Sequence, residues 1–285
     1  MMELTKYKSD TRPDWCPGCG DFGVLNSMIQ AFSNLEINPY DLLVVSGIGC
    51  SSNLPGFINA YGIHTLHGRA LPVATGAKLA NPELNVVVTG GDGDGYGIGL
   101  GHFIHAIRRN LDITYIVMDN QIYGLTTGQA SPTSAKNFAT KSSPSGTIEE
   151  PINPIALALA AGVTYVARGF SGDPKHLTEI IQKGIAHKGF ALIDVFSPCV
   201  TWNRINTYDY FRQKCVKFNG PDYDISNMDQ ANAKARETEP KIPIGIFYEI
   251  QKPTYEEQEP ALKGENPVKA KLGIADPNRL LQEFY

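Results

Sequence analysis

Residues 90–129 read GGDGDGYGIGLGHFIHAIRRNLDITYIVMDNQIYGLTTGQ, and the parsing of this stretch decides the fold. The apolar run Val86-Val87-Val88 leads directly into Gly91-Asp92-Gly93. A strand that enters a glycine turn and then a helix makes an anion cradle, because backbone N–H groups approach a phosphate closely and the helix N-terminus favours its charge. Asp92 repels such an anion unless a cation lies between them. Mg²⁺ suits that place, since it takes oxygen ligands and joins a carboxylate to phosphate groups. The plain alternative is a solvated aspartate in an ordinary turn. Against it stands a second oxygen ligand, Asn120, which follows Gly93 after a spacer of about 26 residues.

Working outward, residues 101–109 read as a helix and 113–118 as a second apolar strand ending at Asp119-Asn120. Two parallel strands joined by a helix bring both carboxyl ends to one sheet edge, where open α/β sheets bind ligands. Asp92 and Asn120 are therefore expected to meet at one metal. Helices are expected over 22–35, 71–79, 154–161 and 174–187, and strands over 42–46, 86–89, 163–167 and 191–196. Residues 59–62 and 64–69 read as irregular, and 122–146, rich in Gly, Thr, Ser and Pro, as a long functional loop. This alternation predicts an α/β protein with a mostly parallel sheet and helices on both faces. Past Gly220 the chain turns polar and carries Pro240, Pro243, Pro253, Pro260 and Pro267. The expected organisation is a ligand-binding domain over 1–220 and an extended C-terminal tail over 221–285 that packs on a partner subunit.

The chain has 285 residues, a net charge of −4 and a pI near 5.9, which argues against nucleic-acid binding. Its charged fraction is only 19% against 42% hydrophobic. That balance fits either a surface buried against a partner or an ordinary glycine-rich enzyme. The start MMELTKYKSDTRPD is polar, and no run approaches the roughly 18 apolar residues of a membrane span. A cytoplasmic location without a membrane role is expected. Thiols stay reduced there, so the five cysteines point to metal or catalytic work rather than disulfides.

Cys16-Pro17-Gly18-Cys19-Gly20 is a CxxC knuckle, whose glycine and proline hold a turn open so that two sulfurs face one metal. Cys50 follows the first strand and Cys199 follows the strand at 191–196, both on the expected ligand edge. Four converging thiolates suit a structural zinc or a [4Fe–4S] cluster, and spacing alone leaves both open. Cys215, in FRQKCVKF, is the leftover thiol and a rival fourth ligand.

The GDG…N pattern resembles the diphosphate-binding motif of thiamine-diphosphate enzymes. CPGCG at 16–20, GIGCSS at 47–52, HTLHGRALPVATG at 64–76 and DNQIYGLTTGQASPTS at 119–134 narrow the resemblance. Jointly they are similar to the β subunit of a 2-oxoacid:ferredoxin oxidoreductase of the 2-oxoglutarate type, over roughly residues 10 to 220. The resemblance implies a thiamine diphosphate-binding domain with one [4Fe–4S] cluster on Cys16, Cys19, Cys50 and Cys199. Cys199 takes precedence over Cys215 because it matches the family's SPC context. Zinc has no redox role, whereas oxidative decarboxylation requires an electron acceptor. The same resemblance places Ile48, Gly49, Cys50 and Ser51 along the cofactor and gives His67 a contact to the diphosphate or the substrate region. It assigns Gly93 and Asp94 turn contacts to the diphosphate, and Gly124 and Leu125 the loop over it. The Ile122 carbonyl joins Asp92 and Asn120 as the third protein ligand of Mg²⁺. His64 is read as structural. Asn53 stands where some members carry a basic residue that sorts substrates.

The activity implied is coenzyme A-dependent oxidative decarboxylation of a 2-oxoacid, with 2-oxoglutarate giving succinyl-CoA and CO₂ while ferredoxin is reduced. No catalytic residue is assigned on this chain. The glutamate that activates thiamine is expected on an α subunit, together with the pyrimidine-binding domain, in an α₂β₂ complex. Competing readings are pyruvate or broad 2-oxoacid specificity, a non-redox thiamine enzyme subunit with a structural zinc, and a regulatory or scaffold subunit.

Overall fold

Helix α1 (Asp21–Asn34) starts directly after the cysteine knuckle and buries Val24, Met28, Ala31 and Phe32 on one stripe. The computed structural model describes residues 3–264, 266–270, 277–282 and 284. After α1 the chain forms β1 (Leu42–Ser46), β2 (Tyr61–His64), α2 (Ala70–Ala80) and β3 (Asn85–Gly91). A wide, π-type turn over Gly93–Ile98 joins β3 to α3 (Leu100–Arg109), followed by β4 (Ile113–Asp119). The second half gives α4 (Pro154–Ala160), β5 (Tyr165–Phe170), α5 (Pro174–Ala186) and β6 (Ala191–Phe196). It continues with α6 (Tyr208–Lys214), β7 (Cys215–Lys217), α7 (Met228–Ala235) and β8 (Ile242–Glu249), and the short helices α8 (Tyr255–Gln258) and α9 (Pro277–Gln282) follow.

The strands build one eight-stranded sheet in the order β2-β1-β3-β4-β6-β5-β8-β7. Neighbours are parallel except for β5 and β8. Central strands are covered on both faces, which is why LLVVS and ITYIVMD are buried along their full length. Alternate residues feed two cores. Leu42, Val44, Ile116 and Ile193 pack under α1 and α5. Leu43, Val45, Val117 and Leu192 pack under α2, α3, α4 and α7. From β1 the chain steps outward to β2, and from β3 it steps the other way to β4. The order therefore reverses between β1 and β3, and the crevice beyond their carboxyl ends is where a ligand fits.

Two expectations change. The irregular reading of 59–62 and 64–69 misses β2, a four-residue edge strand exposed along its whole length, with no buried face to mark it. The extended tail over 221–285 is replaced, in its first part, by secondary structure belonging to the main unit. Helix α7 buries Ala231 and Ala235, and β8 enters the sheet with Ile244, Ile246, Phe247 and Tyr248 buried. Pro243 lies beyond the segment of β8 that pairs with β5, so its missing N–H breaks no bond of that ladder. Residues 265, 271–276, 283 and 285 of that expected tail lie outside the described residues. No helix among the described residues is long and apolar enough to cross a membrane.

Candidate cofactor site

Four short segments meet at the reversal of strand order. The Gly47-Ile48-Gly49 turn follows β1, and Asp92 to Ile98 follow β3. Asn120 to Thr126 follow β4, and His67-Gly68 precede α2. Asp94 holds three of them together. Its Oδ1 accepts the Ile48 N–H at 2.9 Å and the Gly68 N–H at 2.7 Å, and His67 Nδ1 lies 2.9 Å away. An ionised carboxylate only accepts, so His67 carries its proton on Nδ1 and its Nε2 is left for a ligand. The close approach demands glycine: a methyl on Gly47 would lie 2.0 Å from the Asp94 carboxylate. Gly49 and Gly68 adopt φ of 137° and 68°, which a side chain would strain.

These turns enclose a cavity of about 220 Å³. Ile48, Gly49, Cys50, Ser51, His67, Asp92, Gly93, Asp94, Asn120, Ile122, Gly124 and Leu125 all line it, as do Tyr123 and Thr126. The structure thus brings together every residue expected at the cofactor. The Asp94 side chain is turned inward and bonded to protein, which leaves its backbone for the expected turn contact. Ser51 presents a buried hydroxyl without a partner among the described residues. Leu125 is 58% exposed at the rim. His64 stands exposed at the end of β2, and Asn53 is occupied by Asp14, with Nδ2 3.2 and 3.0 Å from its two oxygens.

Asp92 is 1% exposed, and burial pushes its carboxyl up to about 6 against the hydrogen bonds it accepts. Thr133 Oγ1 lies 2.6 Å from Asp92 Oδ2 and 2.8 Å from Asp119 Oδ1. Asp119 is buried at the end of β4, and burial, then the charges of Asp194 and Asp92, raise its carboxyl well above the usual range. One threonine proton serves one of the two acids, so the second contact requires a carboxyl proton. No cationic side chain bonds Asp92 among the described residues, which leaves this acidic end of the cavity open to a metal. Mg²⁺ takes carboxylate, amide and carbonyl oxygens. The Asp92 carboxylate and the Asn120 amide, whose Oδ1 also accepts the Ile122 N–H at 3.1 Å, fit that donor set together with the Ile122 carbonyl.

On the other side of the cavity the cysteines gather. The knuckle is pinned beside Cys199, for Cys19 N–H bonds the Cys16 carbonyl at 2.9 Å and Gly20 N–H bonds the Pro198 carbonyl at 3.1 Å. A methyl on Gly124 would lie 3.6 Å from both Cys50 Sγ and Cys199 Sγ. Burial, then the charge of Asp21, raises the Cys19 and Cys50 thiols, with Cys50 at about 12; Cys199 adds to both. The four sulfurs thus share one electrostatic neighbourhood. Among the described residues no three His, Cys, Asp or Glu side chains close on a single metal ion. A four-iron cluster instead takes each thiolate on a different iron, so the donor set of four cysteines fits it. Trp15 Nε1 donates to the Cys50 carbonyl at 2.6 Å, and the Trp202 N–H approaches Cys199 Sγ at 3.5 Å. Cys215 packs elsewhere, against the cluster of Phe170, Phe196 and Phe211.

Sequence reasoning missed Thr133, Tyr123 and both tryptophans. Tyr123 crosses the glycine turn, donating to the Gly93 carbonyl at 3.1 Å, and a methyl on Gly93 would meet its ring at 2.1 Å.

Known proteins share this arrangement of sequence and fold. The family model described as the thiamine pyrophosphate enzyme, C-terminal TPP binding domain, matches residues 47–195. The model for the C-terminal part of the pyruvate ferredoxin oxidoreductase beta subunit matches residues 199–264. The chain is 51% identical over 258 residues to the 2-oxoacid:ferredoxin oxidoreductase subunit beta of Saccharolobus solfataricus, covering 86% of this chain and 85% of the relative. It is 41% identical over 261 residues to the 2-oxoglutarate synthase subunit KorB of Methanocaldococcus jannaschii, covering 90% and 96%. Among solved structures, it is similar to the 2-oxoglutarate:ferredoxin oxidoreductase from Magnetococcus marinus, with 2-oxoglutarate, coenzyme A and succinyl-CoA bound. The TM-score there is 0.91 at 42% identity, covering 99% of this chain and 96% of the other.

Proposed function

This chain belongs to the β subunits of the 2-oxoacid:ferredoxin oxidoreductases, and from that premise we propose how its own residues hold the cofactors. Asp92, Asn120 and the Ile122 carbonyl hold Mg²⁺ against the diphosphate of thiamine diphosphate. Cys16, Cys19, Cys50 and Cys199 hold one [4Fe–4S] cluster. When bound, thiamine diphosphate supplies the chemistry that releases CO₂ from a 2-oxoacid, and the cluster accepts electrons singly.

The chain's own part is binding, orientation and exclusion of water. Backbone N–H groups of the Asp92–Gly93–Asp94 turn and the Ser51 hydroxyl face the diphosphate. His67, its ring fixed by Asp94, offers Nε2 to the same group or to the substrate. Trp15 bonds the Cys50 carbonyl and the Trp202 backbone N–H lies beside Cys199 Sγ. One observation carries the redox reading: Cys50 lines the cofactor cavity and meets Cys199 across Gly124. A cluster on these thiolates would lie against the cofactor, giving electrons a short path out to ferredoxin.

The substrate we infer is 2-oxoglutarate, with coenzyme A as acyl acceptor. The ligands named with the Magnetococcus marinus structure support this, as does the similarity to 2-oxoglutarate synthase subunits. Broad 2-oxoacid use is the second reading, because position 53 carries an asparagine tied to Asp14 rather than a basic residue. An α subunit supplies the activating glutamate, in an α₂β₂ complex working in the cytoplasm. The exposed apolar side chains of Val268, Leu281 and Phe284 support a C-terminal end that packs on that partner.

Iron, acid-labile sulfide and thiamine analysis of the complex tests the assignment. Cys199→Ser should lower iron and sulfide, and Cys215→Ser should leave them unchanged; the reverse would exchange the two residues. Turnover of 2-oxoglutarate and pyruvate with a low-potential acceptor separates the two substrate readings.

A further inference from the structure

The loop between β4 and α4 reaches back to the acidic end of the cavity through one short turn, Ser131-Pro132-Thr133-Ser134. This turn is tied down from within: Ser131 N–H donates to Ser134 Oγ at 2.8 Å, and Ser134 Oγ–H donates to the Gln121 carbonyl at 2.7 Å. It is also tied down from behind, where the Ile152 N–H donates to the Pro132 carbonyl at 2.8 Å. Pro132 lies against the glycine turn, 3.4 Å from where a methyl on Gly97 would stand. Ser131, Thr133 and Ser134 are all buried. The hydroxyl of Thr133 touches both Asp92 and Asp119.

We propose that Thr133 is a positioning residue: its hydroxyl, fixed between Asp119 and Asp92, turns one oxygen of the Asp92 carboxylate away from the metal and aims the other at it. The inference rests on the reading of Asp92 as a Mg²⁺ ligand. The physical reason is geometric. A lone carboxylate on a glycine-rich turn rotates about its terminal torsion with little resistance. A hydrogen bond to Oδ2 from a buried, doubly anchored hydroxyl selects one rotation and leaves Oδ1 for the cation. Ligand groups held this way by outer partners bind their metal more tightly. The same contact makes the loop's turn the support of the proposed ligand residue.

The test measures thiamine diphosphate binding by calorimetry on the full chain with its partner subunit, stripped of thiamine and divalent metal. It compares wild type, Thr133→Val, Thr133→Ser and Asp92→Ala, each with Mg²⁺ and with EDTA. Valine keeps the shape and removes the hydroxyl. It should weaken binding in Mg²⁺ about ten- to hundredfold, the worth of a hydrogen bond to a charged group. Serine should bind within about threefold of wild type, keeping the hydroxyl. In EDTA wild type and Thr133→Val should bind equally, since without metal the orientation of Asp92 has nothing to act on. If Thr133→Val does not fold, Thr133→Ala takes its place in the same comparison. Equal weakening by valine and serine, or a valine defect that persists in EDTA, would assign Thr133 to packing and overturn the inference. A wild-type affinity in Thr133→Val beside a loss in Asp92→Ala would also overturn it. An unchanged affinity in Asp92→Ala would instead overturn the metal reading beneath it.

Discussion

Two buried aspartates on neighbouring parts of the sheet show how a fold treats charge it needs and charge it uses. Asp194 in β6 is hidden from water and bonded at both oxygens. Its Oδ2 accepts Arg168 Nε from the paired position of β5 at 2.8 Å, and its Oδ1 accepts the Tyr96 hydroxyl at 3.0 Å. The guanidinium in turn lies over Phe196 and Phe247, 5.0 and 5.9 Å from the ring centres. Asp92 at the end of β3 is as deeply buried, but its protein partners are hydroxyls rather than a cation, and burial raises its carboxyl. Paired charge of the first kind belongs to the scaffold. Charge of the second kind has no cationic side chain bonded to it among the described residues, which is the condition the proposed Mg²⁺ site requires.

The strongest test of the contrast removes one partner from the paired site. Asp194→Ala leaves Arg168 buried without its carboxylate, which should cost about 3–5 kcal/mol of stability, read as a lowered denaturation midpoint. A loss below about 1 kcal/mol would place this pair in the weak class of exposed ion pairs.

Asp92→Asn should act in the opposite direction on the metal-free protein. The carboxyl is raised from 3.8 to about 6 on folding, so the folded chain binds more protons between those values. Asp92 therefore makes stability fall as pH rises from about 4 to about 6. The neutral amide removes that penalty, and the variant should be more stable than wild type at pH 7 by about 1–3 kcal/mol. It should also lose most Mg²⁺-dependent cofactor affinity. A variant that is both less stable and still able to bind would erase the distinction between the two aspartates.

His187 sharpens the comparison from the basic side. Burial lowers it from 6.5 to about 4, with its Nε2 2.9 Å from Thr164 Oγ1. The unfolded chain takes up a proton the folded chain refuses, so this residue makes stability fall as pH drops from about 6.5 toward 4. Between pH 7 and 5 that amounts to about 2 kcal/mol. His187→Gln should flatten this acid limb while leaving cofactor binding untouched; an unchanged pH profile would mean that other groups set the limb.

Read alone, the sequence determined the fold class and which segments line the cavity. The apolar runs at β1, β3, β4 and β6, interrupted within the strands by little more than Thr114 and Asp194, are near-continuous because both sheet faces are covered. A glycine turn after such a run marks close approach to the backbone, by an anion or, as at Gly93 and Gly95, by the rings of Tyr123 and Tyr115. The CxxC knuckle is legible from its spacing just before α1, and the cysteines at 50 and 199 from their places after β1 and β6. What stayed hidden was whatever depends on direction or on distance along the chain. Asp92 and Asp94 are chemically alike and two residues apart, yet one faces the cavity and the other staples three turns. Only the placement of Ile48, Gly68 and His67 around Asp94 decides this. Thr133 lies 41 residues from Asp92 in a loop without periodicity, so no local pattern marks it. Strand β8 was masked by its prolines, and it joins the sheet because β5 offers an open edge that its apolar residues cover. Local sequence sets which elements form, since propensity and periodicity act within a few residues. Tertiary structure sets which side chains face one another, since burial and hydrogen bonding are satisfied only after the chain has closed.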